Sequence, residues 1–210
     1  MSDTKQRLLD GALAAVAEHG IKGVSARTIA AAAGVNQALV FYHFGSVDDL
    51  LAASCRMHTA ARVAVYAAEF ADVTSLRQLL DVGRKLQVRE RELGNVSILA
   101  QLLAAAQGDP KLAEPVSASL QLWVDEIESV LRRLLTGSPF AEVADLAGLA
   151  KAVSAAFVGI ELYAGVDATG SEHAMAALEQ LAVLVEVVDD LGPISRRALN
   201  SKINKAVRAR

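Results

Sequence analysis

At 210 residues the chain is long enough for one large domain, or for a small domain carried by a larger one, and alanine supplies much of its 53% hydrophobic content and mean hydropathy of +0.32. The net charge of −3 conceals a balanced stretch over 1–58, an acidic middle and a basic end, so any nucleic-acid contact has to come from a local patch. Lys151, Glu161, Glu179 and Glu186 interrupt the most apolar stretches, the opening "MSDTKQRLLDG" lacks the apolar core of a signal peptide, and the single Cys55 allows no intrachain disulfide; a cytoplasmic protein without a membrane partner is expected.

Four prolines and a wealth of helix formers predict an all-α fold. Apolar periodicity, with glycines such as Gly20, Gly34, Gly45, Gly94, Gly108, Gly137, Gly170 and Gly192 where it stops, places helices over 4–19, 26–33, 37–43, 47–70, 75–91, 95–107, 111–136, 142–166, 172–190 and 194–207. The first three are short and tightly connected, and the later ones are long and apolar. That contrast suggests a small head over 1–46 on a helical body over 47–210, joined by the helix that starts at Val47.

Within the head, Ser25 is placed to cap the second helix by accepting from the amide of residue 27 or 28. Ile29, Ala30 and Ala33 would face the first helix. Gly34 ends the second, Val35 plugs the small core, and Asn36 can cap a third helix that leaves at a steep angle, which is a helix-turn-helix arrangement. Val40 and Phe44, four apart, would face inward, leaving Gln37, Ala38, Leu39, Tyr42 and His43 outward. Gln can read an adenine edge, Ala and Leu can pack on a thymine methyl, and Tyr and His can donate to phosphate. Residues 25–46 hold one charged residue, Arg27, and no carboxylate to repel the backbone; helix amino termini at 26 and 37 add partial positive charge.

The run "LLDGALAAVAEHGIKGVSARTIAAAAGVNQALVFYHFGSVDDLL" resembles the amino-terminal domain of the TetR family of transcriptional regulators over about 45 residues, through the glycine after the first helix, the "TIAAAAGV" turn and the "YHF" ending. The resemblance implies a ligand-responsive regulator, a repressor in the family's common mode, that binds a palindromic double-stranded DNA operator as a homodimer and is released by a small apolar or amphipathic effector. On that reading Arg27 is a DNA-contacting residue of the second helix, and Ser25, Thr28, Asn36, Gln37, Ala38, Leu39, Phe41, Tyr42 and His43 complete the DNA-binding set. Two residues depart from the family's pattern. Phe41 stands where the family commonly has a phosphate-binding tyrosine and Val47 where it commonly has a lysine, which shifts the load to Tyr42, His43, Thr28 and Lys22. The basic tail "SRRALNSKINKAVRAR" either adds a grip on DNA or frays as a solvated last helix.

In the body, polar groups of 172–190 fall mainly at Glu172, Glu179, Gln180, Glu186, Asp189 and Asp190, so more of that helix is apolar than a monomer core requires. A second copy would cover it. The resemblance implies pairing of the last two long helices across a dimer, with Ala155, Ala156 and Gly159 suited to close packing and Leu178, Leu181 and Val185 beside them. It also implies an effector pocket in each body. Candidate lining residues are Tyr66, Phe70, Leu86, Ile98, Gln101, Leu102, Trp123 and Phe157, with Glu161 and Tyr163 as polar partners. Gln101 interrupts "ILAQLLAAA", where a buried amide needs a partner or a ligand.

No catalytic constellation is suggested: the histidines His19, His43, His58 and His173 lie far apart and no Gly-rich phosphate loop occurs, so neither an enzyme nor a cofactor is expected. Cys55 and His58 could share a helix face, but two ligands do not make a metal site, and both read as packing. The alternative to a regulator is a helical small-molecule-binding or interaction protein that has lost DNA binding. Phe41, Val47 and the near-neutral head keep that alternative open.

Overall fold

The computed structural model describes residues 3–138 and 144–189, together with Gly192, Ala198 and Ser201. Among the described residues the chain is all α: α1 (Asp3–His19), a 3-10 turn (Ile21–Gly23), α2 (Ala26–Ala33), α3 (Ala38–Phe44), α4 (Val47–Ala71), α5 (Leu76–Glu92), α6 (Asn95–Ala106), α7 (Pro110–Leu134), α8 (Leu146–Ala164) and α9 (Ala168–Asp189). The predicted helix over 194–207 and the basic tail over 196–210 lie outside the described residues, apart from Ala198 and Ser201.

Contacts divide the chain into two compact units, Met1–Val65 with Val88–Leu122 and Tyr66–Gln87 with Trp123–Arg210. In the first, α1 presents Leu8, Leu9, Ala12, Ala15 and Val16 on one face, where they meet Ile29, Ala30 and Ala33 of α2, Val40 of α3 and Leu50 and Leu51 of α4. Alanines at these contacts let the helices approach closely. Ser54 of α4, fully buried, donates to the Leu9 carbonyl at 2.6 Å and so satisfies its hydroxyl inside that core. Cys55 packs with Leu102, Leu112 and Val116, and burial pushes its thiol up to about 11. Arg62 of α4, largely buried, pairs with Glu90 of α5, whose other oxygen accepts from Asn95 of α6 at 2.6 Å, so this buried carboxylate has charge and hydrogen bonds to offset its desolvation.

In the second unit Tyr66, Phe70, Val73, Leu79, Val82 and Leu86 pack with Val124, Ile127, Val130, Leu131 and Ala150. Arg133 closes the end of α4 by donating to the Phe70 carbonyl at 2.8 Å and the Val73 carbonyl at 3.0 Å, in keeping with a cation at a helix C-terminus.

The structure moves several helix boundaries by one to four residues. α9 begins at Ala168, four residues before its predicted start, because the Asp167 carboxylate accepts from the Gly170 amide at 2.8 Å and caps the first turn there; Gly170 opens the helix instead of ending one. α8 begins at Leu146 rather than 142, with Asp145 as its cap through a 3.0 Å bond from the Gly148 amide. α3 runs one residue later than predicted at each end. Leu146–Ala164, with a mean hydropathy of 1.4, is also long and apolar enough to cross a bilayer by those measures. Lys151 and Glu161 still interrupt it, and Glu161 is buried with α9 packed alongside the helix.

Candidate nucleic-acid interface

The turn between α2 and α3 is built from local hydrogen bonds. Ser25 and Thr28 form a capping box: the Thr28 amide donates to the Ser25 hydroxyl at 3.2 Å and the Ser25 amide donates to the Thr28 hydroxyl at 2.9 Å. Such a cap is worth about 1 kcal/mol and fixes where α2 starts. At the other end Gly34 takes φ 63°, ψ 41°, the left-handed conformation that a side chain disfavours. Its amide bonds the Ala31 carbonyl at 3.1 Å and the Val35 amide bonds the Ala30 carbonyl at 3.0 Å, a Schellman close that reverses the chain. The Asn36 side chain then accepts from the Ala38 amide at 2.9 Å and caps α3.

Val40 is fully buried, which fixes the rotation of α3. Phe44 packs partly on the head core with the Lys5 ammonium 5.4 Å from its ring centroid. On the opposite side Tyr42 is 80% exposed and Phe41 53% exposed, a rare way to leave two aromatic rings unless something covers them. Gln37 and Ala38 are exposed beside them. His43 is half-buried and stacks edge-on against Tyr42 at 4.9 Å. Leu39, expected outward, is half-buried against the head core, because it lies in the first turn of α3 just beyond Val35, which packs on the same core. Arg27 and Lys22 are exposed, while the Ser25 and Thr28 hydroxyls are engaged in the cap described above. Asp49 is taken up as part of the α4 start, where the Ser46 hydroxyl accepts from its amide at 3.0 Å and donates to its carboxylate at 2.6 Å.

The effector candidates fall in two places. Tyr66, Phe70 and Leu86 share the second unit's core with the partly buried Trp123 and Phe157, and Tyr66 and Phe70 lie 6.0 Å and 6.5 Å from the Trp123 ring. Glu161 is buried in the same unit, whereas Tyr163 is 52% exposed. Leu102 and Ile98 belong to the first unit, and Gln101 there accepts from the Ile21 amide at 2.9 Å, so its amide oxygen is used within the fold. Of the dimer candidates, Ala155, Gly159 and Leu181 are exposed, and Ala156, Leu178 and Val185 are half-buried. Around them Leu149 and Leu162 of α8, Val166 of the turn that follows it, and Val183, Leu184 and Val187 of α9 are also exposed. No group of three metal-ligating side chains occurs among the described residues.

Two residues that sequence reasoning missed also shape this head. Gly11 of α1 has the Ala33 Cβ and amide nitrogen 2.9 Å from where its own Cβ would sit, so α1 and α2 touch backbone to backbone. Arg7 reaches the Gly34 carbonyl. A glycine inside the strong helical pattern "LLDGALAAV" was the available signal for the first.

Residues 8–54, which hold most of α1, the turn between α2 and α3 and the start of α4, match the model for bacterial regulatory proteins of the tetR family. The head is thus similar to the amino-terminal region of those regulators. The transcriptional repressor AcnR of Corynebacterium glutamicum is 34% identical over 80 residues, which are 38% of this chain. That match spans only 42% of the repressor's own length. Among solved structures, a TetR-family transcriptional regulator from Rhodococcus sp. superposes with a TM-score of 0.73 at 24% identity, covering 88% of this chain and 99% of the other. The multidrug binding protein EbrR, solved with imidazole, gives 0.64 at 26% identity, covering 87% and 96%. The TetR fold therefore extends well beyond the head.

Proposed function

We propose that this chain is a ligand-responsive transcriptional regulator acting as a repressor: a homodimer whose α3 helices enter successive major grooves of a palindromic operator, and which a small apolar or amphipathic molecule releases. The observation that carries the reading is the outer face of α3. It presents Gln37, Ala38, Phe41 and Tyr42 to solvent, free of carboxylates, on a helix whose angle is set by a Schellman close and an asparagine cap. Gln37 and Tyr42 would supply base-edge and phosphate contacts, Arg27 and Lys22 the flanking charge. Phe41 in place of a phosphate donor makes apolar contact the larger part of the grip.

The exposed apolar faces of α8 and α9 support dimerisation, with Ala155 and Gly159 admitting close approach between copies. A two-fold dimer matches half-sites about one helical turn apart, or multiples of it. The aromatic group of Tyr66, Phe70, Trp123 and Phe157 is the best support for an apolar effector, and the imidazole held by EbrR shows that a similar body takes small molecules in that protein. Signalling is then a population shift toward head spacings that do not fit the operator.

The test is selection of bound fragments from the source genome at stated salt, followed by sequencing of the enriched sites. A palindrome beside a promoter is the expected outcome. Absence of enrichment at low salt from protein freed of any co-purified ligand would sink the regulator reading and leave the helical small-molecule binder.

A further inference from the structure

We propose that Arg7, on the first helix and outside the recognition surface, is a positioning residue for DNA reading: its guanidinium fixes the peptide from which the third helix departs. The inference rests on the DNA-binding reading above. Arg7 Nη2 donates to the Gly34 carbonyl at 2.7 Å across 27 residues of sequence, a short, charge-assisted bond. The acceptor is the decisive part. Gly34 is the left-handed residue of the turn and, having no side chain, its ψ is the softest torsion between α2 and α3. The carbonyls of Ala30 and Ala31 are already used by the Schellman close, which leaves the Gly34 carbonyl as the group that reports the direction of the outgoing chain.

Holding that oxygen from α1 defines the orientation of the peptide joining Gly34 to Val35, and Asn36, the cap of α3, follows at once. A cation beside the C-terminal end of α2 also faces the negative end of its dipole. A second observation agrees. A Cβ on residue 34 would lie 2.8 Å from Arg7 Nη2, so glycine here both permits the left-handed turn and leaves room for the guanidinium. Val40 fixes the rotation of α3 from within the core, and Arg7 fixes its entry from outside.

The experiment compares wild type with Arg7→Ala and Arg7→Lys in the full-length protein. It measures affinity for the selected operator and for unrelated duplex DNA across a salt series, at a temperature well below each variant's melting point. It also follows hydrogen exchange at Val35, Ala38 and Leu39 in the free protein. Arg7→Ala is expected to weaken operator binding about three- to tenfold, the range for losing one such bond. Unrelated DNA should bind as before, the salt slope should stay unchanged, and exchange after the turn should quicken. Arg7→Lys, which keeps a donor and a charge, is expected to recover most of the operator affinity.

Equal loss on operator and unrelated DNA, with a salt slope smaller by about one, would make Arg7 a phosphate ligand and overturn the proposal. Unchanged operator affinity would overturn it too. If wild type itself selects no operator, it is the regulator reading that fails, and the exchange data still decide whether Arg7 holds the turn: unaltered exchange in Arg7→Ala would refute that it does.

Discussion

Gly11→Ala adds one methyl group to the face of α1 that meets α2. Its Cβ would sit 2.9 Å from the Ala33 Cβ, 2.9 Å from the Ala33 nitrogen and 3.0 Å from the Ile29 carbonyl oxygen. Two of those neighbours are backbone atoms, so no change of rotamer makes room. To restore the ~3.5–4.0 Å spacing of ordinary carbon contacts the helices have to part by roughly 0.5–1 Å. Alanine gains about 1 kcal/mol over glycine in a helix interior, whereas overpacking a tight contact costs about 1–3 kcal/mol. Parting α1 from α2 also loosens Leu8, Ala12, Ile29 and Ala30, so the net effect is a destabilisation of about 1–2 kcal/mol. Gly83→Ala in α5 is the matched control. Its Cβ meets only ring carbons of Phe157, at 3.9 Å, and the helix gain of about 0.5–1 kcal/mol should appear as added stability. Urea unfolding followed by helical circular dichroism, at one protein concentration for all variants, reads both midpoints. If Gly11→Ala unfolds at the same or higher urea than Gly83→Ala, the backbone contact between α1 and α2 is not what the glycine serves.

Tyr42→Ala removes the most exposed aromatic of α3 and is expected to lower operator affinity at least about fivefold, by roughly the 1–3 kcal/mol of a good groove contact, with melting temperature and oligomeric state unchanged; retention of full affinity in a fluorescence anisotropy titration contradicts the interface. Leu184→Glu puts a charge on the exposed apolar face of α9 and is expected to give a monomer by light scattering at micromolar concentration, and persistence of the dimer excludes that face. Cys55 ionises at about 11 in the fold, above its ordinary value of 9.0. Its neutral thiol therefore contributes stability that is complete below pH 9.0 and is lost as pH rises toward about 11. Cys55→Ala should show a shallower decline of stability over that window, and native wild type should resist a thiol reagent at pH 8; rapid labelling without unfolding refutes the burial.

The head could be read from sequence because its signals are local. Ser25 to Thr28, Gly34 to Val35 and Asn36 to Ala38 are contacts within a few residues, and each residue type is one that its position requires. Leu39 was misread because helical periodicity assigns a face but not the depth at which a short helix enters the core. Gly170 was misread as a helix end because Asp167, the cap that opens α9, was not weighed against it. Contacts such as Arg7 to Gly34 and Gln101 to Ile21, the latter across 80 residues, depend on how helices are placed in space, which periodicity does not encode. For the same reason the resemblance groups Ile98 and Leu102 with Tyr66 and Trp123, whereas in the structure they pack in a different core.

The bond from the Ile21 amide to Gln101 sets a tolerance. At 2.9 Å it joins the first residue of the 3-10 turn to the middle of α6, and a displacement of α6 by a single residue's rise, about 1.5 Å, directed along the bond would take the oxygen out of bonding range. A hydrogen bond of this kind weakens steeply as it lengthens and bends, and water then takes over its groups. The head is thus tied to α6 by a contact of short reach, so a displacement of that helix along the bond is felt at the 3-10 turn that leads into α2.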